Sequence, residues 1–155
     1  MSKGTRKAVI GHLQGAARQA RTSLAARLLE HGFYAGQDQI MLALADADGQ
    51  TPGGLAQRLG VRPPTITKTI NRLQIQGFLD RRSSDSDSRQ AHVFLSDTGR
   101  EAIKAIEKSL RRTEKQALKG FDKKDQKALM RMLARVEANL ADTGAAEIEE
   151  TAEED

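Results

Sequence analysis

Apolar residues recur on a helical period over most of the chain. Leu13, Ala17, Ala20, Leu24 and Leu28 stand three or four residues apart and predict a first helix from Ala8 to about Glu30. His31 to Gly36 breaks that pattern, and Ile40, Met41 and Leu44 then predict a short second helix over Gln37 to Ala45. Asp46-Ala-Asp-Gly49 has the composition of a turn. Thr51 before Pro52 opens a third helix with Leu55, Ala56 and Leu59 as its apolar face, and Gly60 closes it. Arg62-Pro-Pro64 opens a fourth. At about 100° per residue, Ile66, Ile70, Leu73 and Gly77 fall on one face of it. The opposite face carries Pro64, Lys68, Asn71, Arg72 and Ile75, with Thr65 and Thr67 on its shoulders.

Beyond Gly77 the period shortens. Phe78 to Arg82 and Ala91 to Leu95 read as two short strands joined by a long polar loop. Thr98-Gly-Arg-Glu101 has the spacing of a capping box and starts a fifth helix, which is expected to run to about Lys119. Gly120 to Asp122 interrupts, with Asp122 able to cap a sixth helix marked by Leu129, Leu133, Val136 and Leu140. The expected fold is mainly α, with a small β-hairpin. It divides into residues 1–36, 37–95 and 96–141, followed by an acidic stretch, 142–155, too poor in apolar residues to order itself.

Charge changes this picture most. The formal total is +4, but Asp142 to Asp155 hold seven carboxylates and no base, so residues 1–141 carry 25 bases against 14 acids, a net of +11. A body that basic attracts polyanions, nucleic acid first among them. With four Phe, one Tyr and no Trp there is little to stack single-stranded bases on, so a duplex is the expected partner. The chain has no cysteine, which excludes disulfides and thiol redox sensing and points to a cytoplasmic setting. No membrane span and no signal peptide are expected. His12, His31 and His92 are scattered without ligand spacing, so no metal, cofactor or catalytic residue is expected.

A short helix, a glycine turn, a second short helix and a hairpin make a winged helix-turn-helix: Pro52 to Gly60, Pro63 to Gly77, and the wing from Leu79 to Leu95. The second helix needs an apolar back for the core and a front that donates to base edges and phosphates in a major groove about 12 Å wide. Lys68, Asn71 and Arg72 meet that need, and Thr65 and Thr67 are placed to bond phosphate beside the positive end of the helix dipole. Arg58, Arg62, Arg81, Arg82 and Arg89 add phosphate-neutralising charge. At the wing, Arg89 is the candidate for a minor groove and Asp87 for orienting its guanidinium.

Leu55-Ala-Gln-Arg-Leu-Gly-Val61, Pro64-Thr-Ile-Thr-Lys-Thr-Ile-Asn-Arg-Leu73, Gly77-Phe-Leu-Asp-Arg81, Asp87-Ser-Arg89 and Leu95-Ser-Asp-Thr-Gly99 follow in an order that resembles the MarR family of bacterial transcription regulators. The resemblance extends over roughly residues 8 to 141. It implies a homodimer with N- and C-terminal dimerisation helices, bound to an inverted-repeat operator in double-stranded DNA and often released by a small ligand. By the same resemblance, Thr67, Lys68, Asn71 and Arg72 occupy positions where the family usually has Thr or Ser, Arg, Asp and Arg. Arg81 and Arg89 fall on its wing arginines, while Pro63-Pro64 departs from the usual Ser-containing start.

The apolar stripes of the terminal helices favour a homodimer independently, because a chain with 38% apolar residues has little core of its own to cover them. Leu13, Leu24, Leu129, Leu133 and Val136 are the expected interface. The resemblance also implies a pocket for an aromatic or phenolic effector between the dimerisation helices and the winged domain, for which Arg18, His31 and Tyr34 have suitable chemistry. The leading expectation is a repressor. The alternative is a protein-interaction module whose basic face docks an acidic partner or the chain's own acidic tail.

Overall fold

The computed structural model describes residues 3–84 and 87–153, with side-chain surroundings over 8–83 and 91–141. Among the described residues six helices and one hairpin follow in the order α1 (Lys3–Leu29), α2 (Gln37–Asp46), α3 (Pro52–Leu59), α4 (Pro63–Ile75), β1 (Leu79–Ser84), β2 (Asp87–Leu95), α5 (Asp97–Ala117) and α6 (Lys123–Glu153). The fold is mainly α with one antiparallel wing, as the periodicity predicts. Among the described residues no helix is long and apolar enough to cross a membrane.

Caps set the short helices. The Thr51 hydroxyl accepts from the Gly54 N–H at 3.0 Å and Pro52 takes the first turn of α3. Gly60 ends α3 at φ 63°, and its own and the Val61 N–H groups turn back to Gln57 and Ala56. Gly77 serves α4 in the same way at φ 86°, its N–H and that of Phe78 returning to Gln74 and Leu73. Gly77 therefore lies beyond α4 rather than on its apolar face. The helix ends at Ile75, two residues earlier, because only glycine enters the left-handed region cheaply.

The core of the first compact unit, residues 1–114, sits between these elements. Ile40, Met41 and Leu44 of α2, Leu55 of α3 and Ile66, Ile70 and Leu73 of α4 are buried with Leu79, Val93 and Leu95 at the wing base. Leu28 of α1, Phe33 and Ile106 of α5 close it. Phe33 packs on Phe78 with ring centroids 4.6 Å apart. Leu24 is half-buried against this core, on the helix face it shares with Leu28. The Arg27 guanidinium reaches Thr113 at 2.7 Å and links α1 to α5.

Three local readings of the sequence are corrected. The wing strands are longer than expected: pairing runs from Leu79↔Leu95 to Ser84↔Asp87, with a bulge at Ser83/Ser84. Ladder pairing takes in Ser83, Ser84 and Asp87, residues of weak strand propensity alone. A further bridge, Gln50↔Val93, adds the α2–α3 turn to the wing base. Second, the expected Thr98 capping box is displaced. α5 begins at Asp97, and the Ser96 hydroxyl accepts from the Gly99 N–H at 3.0 Å while donating to the Gly77 carbonyl at 2.7 Å. Ser96 wins because the end of β2 carries it against the α4–β1 turn, where its N–H also meets the Phe78 carbonyl at 3.0 Å.

The second compact unit, residues 115–155, contains α6. A reciprocal Asp122–Asp125 capping box opens this helix, with the Asp125 N–H on the Asp122 carboxylate at 2.8 Å and the Asp122 N–H on that of Asp125 at 3.1 Å. The third correction is at its far end. α6 continues to Glu153, through most of the segment read as too polar for order. Extending an existing helix needs no new nucleus, and Ala145, Ala146, Glu147, Glu149 and Glu150 are good helix formers.

Candidate nucleic-acid interface

α4 has the two faces its sequence requires. Ile66, Ile70 and Leu73 are at most 2% exposed, whereas Thr65, Thr67, Lys68, Asn71 and Arg72 are open to solvent. Lys68, Asn71, Arg72 and Ile75 stand on one outward stripe at spacings of three, one and three, and Ile75 is 87% exposed. Arg62 stands at the N-terminal end of α4 without a side-chain cap bond. No cap is needed, since Pro63 and Pro64 have no N–H to satisfy and the Thr65 and Ile66 N–H groups close on the Arg62 carbonyl at 3.0 and 3.1 Å. The same geometry revises the expectation for phosphate at this end. Little free backbone N–H remains there, and the polar groups at this end are the hydroxyls of Thr65 and Thr67 and the charge of Arg62.

Three arginines near α4 are held by the fold. Arg81 on β1 donates to Asn71 Oδ1 at 2.8 Å, the Arg72 guanidinium lies 4.7 Å from the Tyr34 ring centroid, and that of Arg82 lies 4.5 Å from the Phe94 ring. Fixing a long cationic side chain in advance removes part of the entropy lost on binding an anion. Strand alternation sends Arg81 and Arg82 to opposite faces of the wing, so only Arg81 meets α4. Among the described residues no carboxylate pairs with Arg62, Lys68, Arg72, Arg81 or Arg82. Arg58 differs: it pairs with Asp46 at 2.6 Å, which diverts part of the charge expected for phosphate. Asp87 and Arg89 belong to β2, but their side chains lie outside the described residues.

The support behind this surface was not anticipated from sequence. Gln37, 1% exposed, accepts from the Tyr34 N–H at 2.9 Å and donates to Gln76 Oε1 at 2.8 Å, and Gln76 donates to the Gly32 carbonyl at 3.0 Å. This relay ties the α1–α2 loop to the end of α4 and places Tyr34 under Arg72. Asp48 similarly joins the turn to the wing, accepting from the Gly49 and Leu95 N–H groups and pairing with Arg100 at 3.4 Å. A glutamine opening a helix whose next turns are apolar is the one sequence signal that hints at the relay.

The residues expected to bind an effector do not converge on the described α1–α2 cavity. Tyr34 is the platform for Arg72, and His31 and Arg18 are exposed. That cavity, of about 90 Å³, is lined by Arg21, Leu24, Ala25, Leu28, Ala35, Gly36, Asp38 and Gln39, and by none of the three. Burial raises the Asp38 carboxyl above the usual carboxylate range, against the opposing pull of backbone N–H groups at the start of α2.

Residues 37–90 match the model of the MarR family. The chain is 40% identical over 73 residues to an HTH-type transcriptional regulator of Mycobacterium tuberculosis, a match covering 47% of this chain and 51% of that protein. The chain thus spans about half the length of the curated relatives it matches first. In structure it resembles a probable transcriptional regulator from Pseudomonas aeruginosa, with a TM-score of 0.68 and 26% identity over 77% of this chain and 92% of that one. It also has the fold of a mutant MarR from E. coli complexed with operator DNA, with a TM-score of 0.77 and 19% identity over 88% of this chain and 99% of that one. The helix-turn-helix and wing segment, residues 37–90, thus resembles the MarR family, and the chain shares the winged helix-turn-helix fold of these solved regulators.

Proposed function

We propose that the protein is a homodimeric transcription regulator that binds double-stranded DNA through α4 and the wing. The observation that carries this reading is the outer face of α4, where Lys68, Asn71 and Arg72 stand exposed with no carboxylate paired to them among the described residues, and Arg81 joins them from β1. That surface sits on the segment matching the MarR family, and a protein of the same fold is complexed with operator DNA. Phosphate neutralisation supplies most of the affinity, and α4 in the major groove supplies base selection. A twofold pair of such helices reads an inverted repeat with half-sites about 34 Å apart or a multiple of that. Selection from random duplex DNA at fixed salt is expected to return such a repeat, with affinity falling steeply as salt rises. Enrichment of no sequence, or salt-independent binding, would refute the reading.

Apolar residues exposed on the terminal helices support the dimer. Val9 and Ile10 of α1 are 53% and 49% exposed, and Met130, Met132, Leu133, Val136 and Leu140 of α6 are open as well. Leu13 and Leu129 are half-buried. Leu133→Asp is expected to convert a dimer into monomers by sedimentation and to lower operator affinity sharply, since each monomer then holds one half-site. A variant that still sediments as a stable dimer contradicts the assignment. By family resemblance the regulator is a repressor released by a small aromatic or phenolic ligand. The α1–α2 cavity is well below the roughly 300 Å³ of an ordinary ligand site, so it would have to open to serve as the binding place.

A further inference from the structure

The hydrogen bond between Arg81 and Asn71 fixes which way the Asn71 amide faces. A guanidinium has donors and no acceptor, so the amide atom turned towards it, 2.8 Å away, has to be Oδ1. The amide nitrogen then points elsewhere, and among the described residues it has no hydrogen-bond partner. Asn71 is exposed on the same stripe as Lys68 and Arg72. Towards a duplex the side chain therefore presents two N–H donors, while its oxygen is turned to the wing with one of its two lone pairs taken.

A free asparagine in the major groove pairs with adenine because it offers both functions: its oxygen accepts from adenine N6 and its nitrogen donates to N7. With Oδ1 turned to the guanidinium and one of its two lone pairs taken, the pairing with adenine is disfavoured, because N6 meets an oxygen already engaged and directed at the wing. Guanine presents O6 and N7, both acceptors, and suits an amide that only donates. We infer that Asn71 reads guanine rather than adenine, and that Arg81 is the positioning residue that imposes this preference. The inference rests on the proposed DNA-binding role and specifies the base read by that same surface.

The test compares sequences selected from random duplexes by the full-length protein and by variants at one salt concentration. Asn71→Ala identifies the base pair concerned as the one whose preference disappears. At that position the unmodified protein is expected to favour guanine over adenine by about tenfold, the discrimination of one good paired contact. Arg81→Met frees Oδ1 and is expected to move the preference towards adenine, whatever it does to total affinity. Arg81→Lys, which also donates and cannot accept, is expected to restore guanine. Adenine at the Asn71-dependent position in the unmodified protein, or a preference unchanged in Arg81→Met, would overturn the inference and leave the DNA-binding role standing. Absence of any enriched sequence would remove both. Both side chains are exposed, and thermal unfolding of each variant verifies that a changed preference comes from a folded protein.

Discussion

Replacing Gly99 with alanine is expected to destabilise the protein by about 3 kcal/mol, although the same change inside an exposed helix normally stabilises by up to about 1 kcal/mol. Gly99 is buried in the first turn of α5, and a Cβ built on it falls well inside van der Waals contact distance of the Phe78 carbonyl oxygen, with the Ser96 hydroxyl 3.4 Å away. Neither neighbour can retreat freely. The Phe78 carbonyl accepts from the Ser96 N–H, and the Ser96 hydroxyl bridges Gly99 to the Gly77 carbonyl. The strain therefore passes to the turn that ends α4 and starts β1. For a chain of this size, about 3 kcal/mol lowers the unfolding midpoint by roughly 10 °C. Gly53→Ala in α3 is the matched control, since its Cβ would meet nothing within 4 Å. Equal stability of the Gly99 variant and the parent in denaturant titration would disprove the close approach.

Reversing the charge of Lys68 should have the largest effect on binding. Lys68 is exposed on the outward stripe of α4 and pairs with no carboxylate among the described residues, so its positive charge faces solvent, open to a polyanion. Lys68→Glu removes one attraction and adds one repulsion at the centre of the proposed contact, for a loss of about 100-fold or more near physiological salt. Lys68→Ala removes only the attraction. It should weaken binding about tenfold and reduce the slope of log affinity against log salt by about one if the contact is to phosphate. Neither change should shift folding stability by more than about 0.5 kcal/mol, because the side chain supports nothing in the fold. Unaltered affinity in Lys68→Glu would exclude α4 as the reading helix.

The elements that hold the proposed interface follow a code written locally. Ile66, Ile70 and Leu73 recur at the helical period and are buried, while Lys68, Asn71 and Arg72 between them are exposed, so the two-faced character of α4 is visible in the chain itself. Thr51-Pro52 and Gly60 bound α3 where their chemistry predicts. Asp122 caps α6 as expected. In each case the residue acts on backbone groups within a few positions, which is why sequence alone suffices. Legibility fails where a residue's partner is remote. Thr98 and Glu101 have capping-box spacing, but Ser96 takes the cap because Gly77 and Phe78 come to meet it. Leu24 belongs to a regular apolar stripe, and the stripe does not say whether the surface it meets lies in the same chain.

The chain's pattern therefore determined the helices, the turn glycines, the wing and the surplus of positive charge, since all depend on side-chain chemistry at short range. Tertiary structure decided which of those charges are available. It brought Tyr34 beneath Arg72 through Gln37 and Gln76, paired Arg58 with Asp46, separated Arg81 from Arg82 across the wing, and turned the amide of Asn71 by setting a guanidinium beside it. The physical reason is one of range. Periodicity and capping act within a turn or two of backbone, whereas a hydrogen bond between residues ten or more positions apart exists only after packing has placed its donor and acceptor about 3 Å apart.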